Sequence, residues 1–263
     1  MLDRLIAHRF RGFAPEENTI HGLLAALDFG ARYVEFDVRM AKCGTPMVYH
    51  DEHALGASGR RVLSNVMAKD FVDTGGRFAT MPSLDALLEA AAGHGSGATL
   101  LVDIKDAGFA EAIRALVRAH GLEERVVYVS WLPEVLYAVR AIEPEARLCF
   151  SHWAASPTLA ARATHAVFTS EDGHVPCPAP TPFGTRSGWW LKRPLEGELL
   201  EMVDFVCVPK GHLTDALLAH YRENGVNVSA FAYVETAETR DALESGVDLA
   251  FVDARRVFEA MKG

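Results

Sequence analysis

Two carboxylates and an imidazole fall within one short stretch of the chain, from Tyr33 to Asp51. The stretch reads YVEFDVRMAKCGTPMVYHD, in which Glu35 and Asp37 stand two residues apart and His50 comes near the end. Carboxylates that share a strand face repel each other, and a divalent cation is the usual way to relieve that repulsion. The stretch therefore indicates either a metal-binding site with an acid–base group or, as the simpler alternative, a solvated sheet face with a surface histidine.

The order of residue types predicts a β-hairpin that would hold these groups together. Tyr33 to Val38 is apolar, aromatic and β-branched, and Met47 to Tyr49 is a second short run of strand-forming residues. Between them, Cys43-Gly44 suits a two-residue turn, although Asn or Asp suits the first turn position better than Cys. That turn pairs Asp37 with His50 across the hairpin, which places the imidazole on the face that carries both carboxylates.

The composition argues against several classes of function. The chain has 263 residues, of which 49% are hydrophobic and 23% are charged, and one domain of barrel type is allowed at this length. A net charge of −9 argues against non-specific binding to nucleic acid or to an anionic membrane. A phosphate-bearing substrate would therefore need local positive charge from a metal ion, an arginine or a lysine.

The cysteines and the N-terminal residues bear on where the protein works. The four cysteines form no CxxC pair, and their spacing suggests no disulfide framework, so we expect a reducing compartment, the cytoplasm. No long apolar segment precedes the first predicted strand, so we expect neither a signal peptide nor stable insertion into a membrane. The sequence leaves the oligomeric state open.

Strand and helix patterns alternate along the chain, which is typical of a parallel sheet. Eight strands are predicted, at residues 4–8, 33–38, 99–105, 126–130, 147–151, 205–208, 226–231 and 249–252. Eight strand–helix units in a chain of this length predict an α/β fold, a single-domain (β/α)8 TIM barrel over residues 1–263. An open, doubly wound sheet is the alternative, and the lack of a GxGxxG after the first strand argues against it. Residues 52–80 are too long for a simple connection and indicate a small lobe inserted after the second strand.

Barrel geometry brings polar residues from three strands to one rim, because active sites of such barrels lie at the C-terminal ends of the strands. His8 ends the first predicted strand and Arg9 follows it, while Asp103 and Lys105 end the third. The predicted metal ligands are Glu35, Asp37 and Asp103. Ligands that offer only oxygen favour Mg²⁺ or Ca²⁺ over zinc. The alternative is that Asp103 pairs with Lys105 or Arg9 and that no metal binds.

Five short motifs, in order and at matching spacing, resemble the glycerophosphodiester phosphodiesterase family. They are His8-Arg9, Glu17-Asn18-Thr19, Glu35-Phe36-Asp37, His50-Asp51 and Asp103-Ile104-Lys105, which match the family's HRG, ENT, ExD, HD and ExK. Near the end, Gly246-Val247-Asp248 and Val252-Asp253 resemble the family's closing GVD-x-x-x-TD stretch. The resemblance implies a (β/α)8 barrel that hydrolyses glycerophosphodiesters to glycerol 3-phosphate and an alcohol with a divalent cation.

The resemblance also implies roles for residues of this chain. His8 and His50 would share the acid and base steps, since an imidazole titrates near neutrality. Arg9 and Lys105 would hold the phosphoryl oxygens of a small phosphodiester substrate, the alternative being ion pairs with the metal-site carboxylates. Glu17 would anchor Arg9 or cap the first helix. Candidates to line the alcohol or lipid side of the pocket, with core packing as the alternative for each, are Phe231, Trp131, Trp189 and Trp190.

Four positions depart from the family's motifs. Phe10 replaces the glycine of HRG, Cys43 replaces the aspartate of the hairpin turn, and Asp103 replaces the glutamate of ExK. Phe231-Ala232-Tyr233-Val234 stands where the family has WTVN. We expect Phe10 and Phe231 to alter the floor and wall of the pocket. These departures support two rival functions, a related barrel enzyme for a different phosphodiester or phospholipid, and a barrel that binds a phosphorylated ligand without turnover.

Overall fold

Eight parallel strands of the described chain close into a barrel. The computed structural model describes residues 1–152 and 194–262, and between them the backbone of four short strands, His174–Pro176, Pro180–Thr181, Gly184–Thr185 and Trp189–Leu191. The barrel strands are β1 (Leu5–His8), β2 (Tyr33–Met40), β3 (Thr99–Ile104), β4 (Val126–Ser130), β5 (Arg147–Ser151), β6 (Phe205–Pro209), β7 (Asn227–Tyr233) and β8 (Leu249–Val252). Each strand pairs with the next, and β1 pairs with both β2 and β8. The predicted (β/α)8 barrel is therefore confirmed, and the open sheet is excluded.

Helices follow the strands and cover the outside of the barrel. The longer ones are α1 (Ile20–Phe29), α2 (Leu84–Gly93), α3 (Ala110–Ala119), α4 (Pro133–Ile142), α5 (Gly197–Met202), α6 (Asp215–Glu223), α7 (Thr236–Glu244) and α8 (Arg255–Lys262). Single 3₁₀ turns lie at Leu2–Arg4, Leu63–Asn65, Ala68–Asp70, Glu123–Arg125 and Lys210–His212. The hydroxyls of Thr19, Ser83 and Thr214 accept backbone N–H groups and so begin α1, α2 and α6. The sequence also predicts a helix over 155–163 and a strand over 166–169, and both lie outside the described residues.

Each helix of the described residues is either too short or too polar to span a bilayer.

Alternation along β2 divides its side chains between two environments. One set faces the core between sheet and helices and comprises Val34, Phe36, Val38 and Met40. The other set comprises the charged residues Glu35, Asp37 and Arg39, all of which are buried. A barrel strand is buried on both faces, so three charged residues on the inner face of one strand mark the part of the barrel where chemistry is concentrated.

The arm after β2 differs from the predicted hairpin by one residue in register. The strand Pro46–Val48 runs antiparallel to β2 and pairs Val38 with its last residue. The Asp37 carbonyl accepts the Tyr49 N–H at 3.0 Å, so His50 lies beyond the ladder. The predicted direct pairing of Asp37 with His50 is therefore wrong.

The connection in this hairpin is a three-residue loop at 42–44 and not the predicted two-residue turn. The Gly44 N–H donates to the Ala41 carbonyl at 2.9 Å, and Gly44 has φ +78°. A turn followed by one left-handed residue needs glycine only at that last position. Cys43 is free of the positive φ that a two-residue turn would impose on it, which explains why a cysteine is accepted there.

Small elements with their own hydrophobic cluster follow the hairpin. They are the antiparallel strands His53–Gly56 and Gly59–Val62 and the four-residue helices Phe71–Thr74 and Arg77–Thr80. The rings of Phe71 and Phe78 meet edge to face at 5.1 Å within this cluster, which is separate from the main core. That residues of about 52–80 are an insertion within a domain of 1–263 stays a prediction.

Phe10 is a core residue, which corrects the prediction that it forms part of the pocket floor. Its side chain is fully buried, and its ring centroid lies 6.0 Å from that of Phe36. Phe10 has φ +60°, so it keeps a left-handed backbone that glycine adopts without strain. A Cβ built on Gly22 of α1 would lie 2.8 Å from the Phe10 Cβ, so the glycine in the helix makes room for the phenylalanine.

We expect Gly22→Ala to lower the free energy of unfolding by roughly 1–3 kcal/mol, because the added methyl overpacks against Phe10. In a Phe10→Gly background the same substitution should cost much less, since the opposing side chain is gone. Urea midpoints of the four proteins measure this coupling. Gly93→Ala in α2, where nothing lies within 4 Å of the added Cβ, is the matched control and should not destabilise. Equal costs of Gly22→Ala with and without Phe10 would contradict the account.

Candidate active site

An open cleft of about 420 Å³, including the solvent at its mouth, lies at the C-terminal rim of the barrel. Its polar side is formed by His8, Arg9, Glu35, His50, Asp103 and Lys105. Its other side is formed by Val129, Ser151, Cys207, Phe231 and Phe251. Seven of the eight predicted site residues line this cleft, and the eighth, Asp37, is fully buried beneath it. The structure thus brings together residues from β1, β2, β3 and β7.

Glu35, Asp37 and Asp103 form a buried cluster on two neighbouring strands. Asp37 and Asp103 are partners in the register of β2 and β3, and one carboxylate oxygen from each of the three residues lies within 4.8 Å of the others. Burial raises the pKa of Glu35 well above its usual range, and the charges of Asp37 and Asp103 add to that effect. Three carboxylates at this spacing need positive charge close by.

Two basic side chains contact this cluster. Arg9 Nε lies 3.2 Å from Asp37 Oδ2, and Lys105 Nζ lies 3.0 Å from Asp37 Oδ1 and also contacts Asp103 Oδ2. Burial works against the ionised form of Asp37, but Lys105 and Arg9 outweigh it and hold the pKa of that carboxyl below its usual range. These ion pairs are the alternative role that the sequence leaves open for Arg9 and Lys105.

The carboxylates also have capacity for a further cation. Asp103 Oδ1 is buried and makes no hydrogen bond with any described residue, while Asp37 Oδ1 faces the Lys105 ammonium at 3.0 Å without hydrogen-bond geometry. Buried oxygens in that state are costly, and hard divalent cations take oxygen ligands of this kind. The formal charge of −3 on the cluster exceeds the +2 of Arg9 and Lys105. The residues present therefore fit a divalent cation, with Glu35, Asp37 and Asp103 as ligands.

His8 ends β1 and is held by a residue from the far end of the chain. Its Nδ1 lies 2.6 Å from Oδ1 of Asp253, which directly follows β8, the neighbour of β1. Burial lowers the pKa of His8, although the hydrogen bond to Asp253 works in the other direction. The neutral imidazole donates its Nδ1–H to the carboxylate. That tautomer leaves Nε2, 3.8 Å from Glu35 Oε2, free to accept a proton.

His50 reaches the cleft from the end of the hairpin arm. Its Nδ1 lies 2.7 Å from Asp51 Oδ1, and its carbonyl accepts a hydrogen bond from Arg39 Nε at 2.5 Å. Burial lowers the pKa of His50, and the charge of Asp37 opposes that shift. The cleft therefore contains two imidazoles, each with a carboxylate on its Nδ1.

Asn18 fixes the orientation of Asp37. The asparagine is fully buried, donates from Nδ2 to Asp37 Oδ2 at 2.9 Å and accepts the Asp37 N–H on Oδ1 at 3.2 Å. Its own N–H donates to the Arg9 carbonyl at 2.9 Å, so it also holds the loop that carries the arginine. Asn18 stands in the ENT motif, but no pattern in the sequence assigns it a place in the site.

A chain of ion pairs on the loop after β1 connects Arg9 to the partner of His8. Glu17 lies 3.5 Å from Arg9 Nη1 and accepts from Arg11 Nε at 2.6 Å, while Arg11 Nη1 lies 2.7 Å from Asp253 Oδ2. Glu17 therefore anchors Arg9, and it is Thr19 that caps the first helix. Asp253 was missed as a site residue, although it stands in the closing motif.

The aromatic candidates separate into different environments. Phe231 lines the cleft, with its ring centroid 6.3 Å from that of Phe251. Trp131 is 6% exposed and belongs to the main core, so core packing is its role. The side chains of Trp189 and Trp190 lie outside what the structure describes.

Solved structures with this fold include enzymes of phosphodiester chemistry. A glycerophosphodiester phosphodiesterase from Agrobacterium tumefaciens str. C58 is 24% identical with a TM-score of 0.65, over 98% of this chain and 99% of that chain. A phosphodiesterase from Oleispira antarctica, solved in complex with the product sn-glycerol-3-phosphate, is 19% identical with a TM-score of 0.72, over 100% of this chain and 98% of that chain. At these identities the likeness establishes the fold.

Sequence similarity extends to curated proteins and to a family pattern. The chain is 54% identical over 35 residues to the glycerophosphocholine phosphodiesterase of Eremothecium gossypii, and the match covers 13% of this chain and 3% of that protein. The pattern of the glycerophosphoryl diester phosphodiesterase family matches residues 7–256. Because that match runs over nearly the whole sequence, the chain belongs to the glycerophosphoryl diester phosphodiesterase family.

Proposed function

We propose that this protein hydrolyses glycerophosphodiesters to glycerol 3-phosphate and an alcohol, with a divalent cation and with acid–base catalysis by His8 and His50. The observation that carries the proposal is that a buried carboxylate cluster, two basic side chains and two imidazoles meet at one open cleft. Family membership supports the reaction class. The product bound by the Oleispira antarctica phosphodiesterase supports the substrate class.

The proposed site answers the three needs of phosphodiester hydrolysis. The substrate is anionic and a poor electrophile, so its charge must be neutralised, the attacking oxygen must lose a proton and the leaving oxygen must gain one. Glu35, Asp37 and Asp103 would hold a Mg²⁺ or Ca²⁺ ion, which would neutralise charge and stabilise the phosphoryl oxygens. Arg9 and Lys105 bind other phosphoryl oxygens while they stay next to Asp37.

The two imidazoles carry the proton transfers of the proposed reaction. One takes the proton of the attacking oxygen as its bond to phosphorus forms, and the other gives a proton to the alcohol oxygen as its bond to phosphorus breaks. Asp253 holds His8 in the tautomer that presents Nε2, and Asp51 is placed to do the same for His50. The attacking oxygen belongs either to water or to a neighbouring hydroxyl of the substrate. Attack by the hydroxyl forms a cyclic phosphate, which water then opens.

Two features bear on the rival functions and the setting. Phe10 lies in the core, which removes one of the two reasons to expect a different substrate, and Phe231 keeps the other. The carboxylate partners of both histidines favour turnover over binding alone. The proposed substrate is a small phosphodiester, and the proposed location of the protein is the cytoplasm. Among the described cysteines, Cys43, Cys149 and Cys207 are free thiols, which supports a reducing compartment.

Chelation of divalent cations is expected to abolish hydrolysis, and Mg²⁺ or Ca²⁺ should restore it. The cation should also stabilise the substrate-free protein by about 2.7 kcal/mol at a hundred times its Kd. That gain is measured as a rise in the melting temperature. Glu35→Gln and Asp103→Asn should shrink that shift because each removes an anionic ligand, and Asp103→Glu should be tolerated better. Glu143→Gln, next to Arg114 on the outside of the barrel, should leave the shift unchanged. Full activity of a chelator-stripped sample would contradict the metal assignment.

His8→Ala and His50→Ala should each lower kcat by about 10²- to 10⁴-fold, because each removes one proton-transfer group. Circular dichroism should show an intact fold in both variants. His120→Ala is the matched control, since His120 pairs with Asp85 away from the cleft, and it should keep wild-type kcat. Near-wild-type kcat in either active-site variant would remove that histidine from the mechanism.

Asp253→Asn should lower kcat by about 10²-fold or more while it changes KM little. An asparagine keeps the shape of the aspartate, but its amide donates to Nδ1 and so favours the tautomer with a proton on Nε2. Steady-state kinetics of the variant, with NMR of the His8 ring nitrogens, would measure both effects. Unchanged kcat together with a protonated Nε2 would show that the tautomer of His8 does not matter.

A further inference from the structure

Arg39 and Asp106 form a buried ion pair next to the carboxylate cluster without belonging to it. Arg39 Nη1 lies 3.0 Å from Asp106 Oδ1, and both side chains are 8% exposed. Arg39 stands two residues after Asp37 on β2, so alternation places it on the same face and one step closer to the rim. Asp106 directly follows Lys105, just beyond the end of β3.

Each partner of this pair also holds the backbone of the hairpin. Asp106 Oδ2 accepts the Met40 N–H at 2.9 Å, in place of a strand acceptor that β3 no longer provides. Arg39 Nε donates to the carbonyl of His50 at 2.5 Å. The pair therefore connects the end of β3 to both sides of the loop that carries His50.

His50 depends on such a contact because it lies beyond the regular ladder. The strand Pro46–Val48 has ended, and the bond from Tyr49 N–H to the Asp37 carbonyl is formed one residue earlier. A planar guanidinium holds a carboxylate and a carbonyl in fixed directions, whereas the donors of a lysine ammonium rotate and fix no direction. The contact thus joins the conformation of residue 50 to the rigid end of the barrel.

We propose that Arg39, oriented by Asp106, is a positioning residue that fixes the backbone of His50 so that the imidazole reaches the reacting phosphodiester. This inference rests on the proposed function, in which His50 transfers a proton. A catalytic group displaced by about 1 Å loses rate on the order of 10²-fold. The bond from Arg39 Nε to the His50 carbonyl is the contact through which the proposed effect on catalysis passes.

A double-mutant cycle on kcat tests this role. Arg39→Met, His50→Ala and the double variant are assayed beside the wild type with a glycerophosphodiester and Mg²⁺. We expect Arg39→Met to lower kcat by about 10- to 100-fold with little change in KM. In the His50→Ala background it should lower kcat hardly further, since the two residues act as one unit. Effects that multiply would overturn the proposal.

Further variants separate positioning from loss of stability. Arg125→Met is the matched control, because Arg125 Nε also donates to a backbone carbonyl, that of Ala98 at the opposite end of the barrel, and its kcat should be unchanged. Arg39→Lys should fall between the wild type and Arg39→Met, and it serves as the test if the methionine variant does not fold. Wild-type kcat in both Arg39→Lys and Asp106→Asn would overturn the proposal.

The same measurements distinguish this inference from the proposed function. If His50→Ala keeps wild-type kcat, the acid–base part of the proposed function fails and the positioning role fails with it. If His50→Ala is impaired and the Arg39 variants are not, the positioning role alone fails.

Discussion

The repulsion among three buried carboxylates is the constraint on which the rest of the site depends. Glu35, Asp37 and Asp103 lie on two adjacent barrel strands, where burial leaves little water to screen their charges. Arg9 and Lys105 offset part of that charge, and Asn18 fixes the direction in which Asp37 presents its oxygens. The loop after β1 takes a left-handed backbone at Arg9 and Phe10, which brings the guanidinium to the cluster. An anionic substrate would add to the same imbalance, so the proposed reaction calls for the cation that the carboxylates fit.

Much of this arrangement follows from the sequence because barrel geometry is so regular. Once eight strands are recognised, their C-terminal ends must share one rim, and the polar residues at those ends must meet. His8, Glu35, Asp103 and Lys105 meet there for that reason. Asp253 could have been found by the same argument, since β8 is the neighbour of β1 in any closed barrel.

Other features depend on packing that a sequence pattern does not reveal. The register of the hairpin depends on whether its loop has two or three residues, and Gly44 is compatible with both. Phe10 stands in a motif that faces the cleft, yet its side chain turns into the core because Gly22 leaves space for it. The sequence shows Arg39 only as a charged residue within a strand pattern, whereas its bond to the carbonyl of His50 depends on the folded hairpin.

The central claim is that this cleft cleaves glycerophosphodiesters with a divalent cation. The most direct measurement is ³¹P NMR of the purified protein with a panel of glycerophosphodiesters, each with chelator, with Mg²⁺ and with Ca²⁺. Glycerol 3-phosphate should appear for at least one diester when a cation is present, and none should appear in chelator. Release of glycerol 3-phosphate at the same rate in chelator, or no cleavage of any diester with either cation, would contradict it.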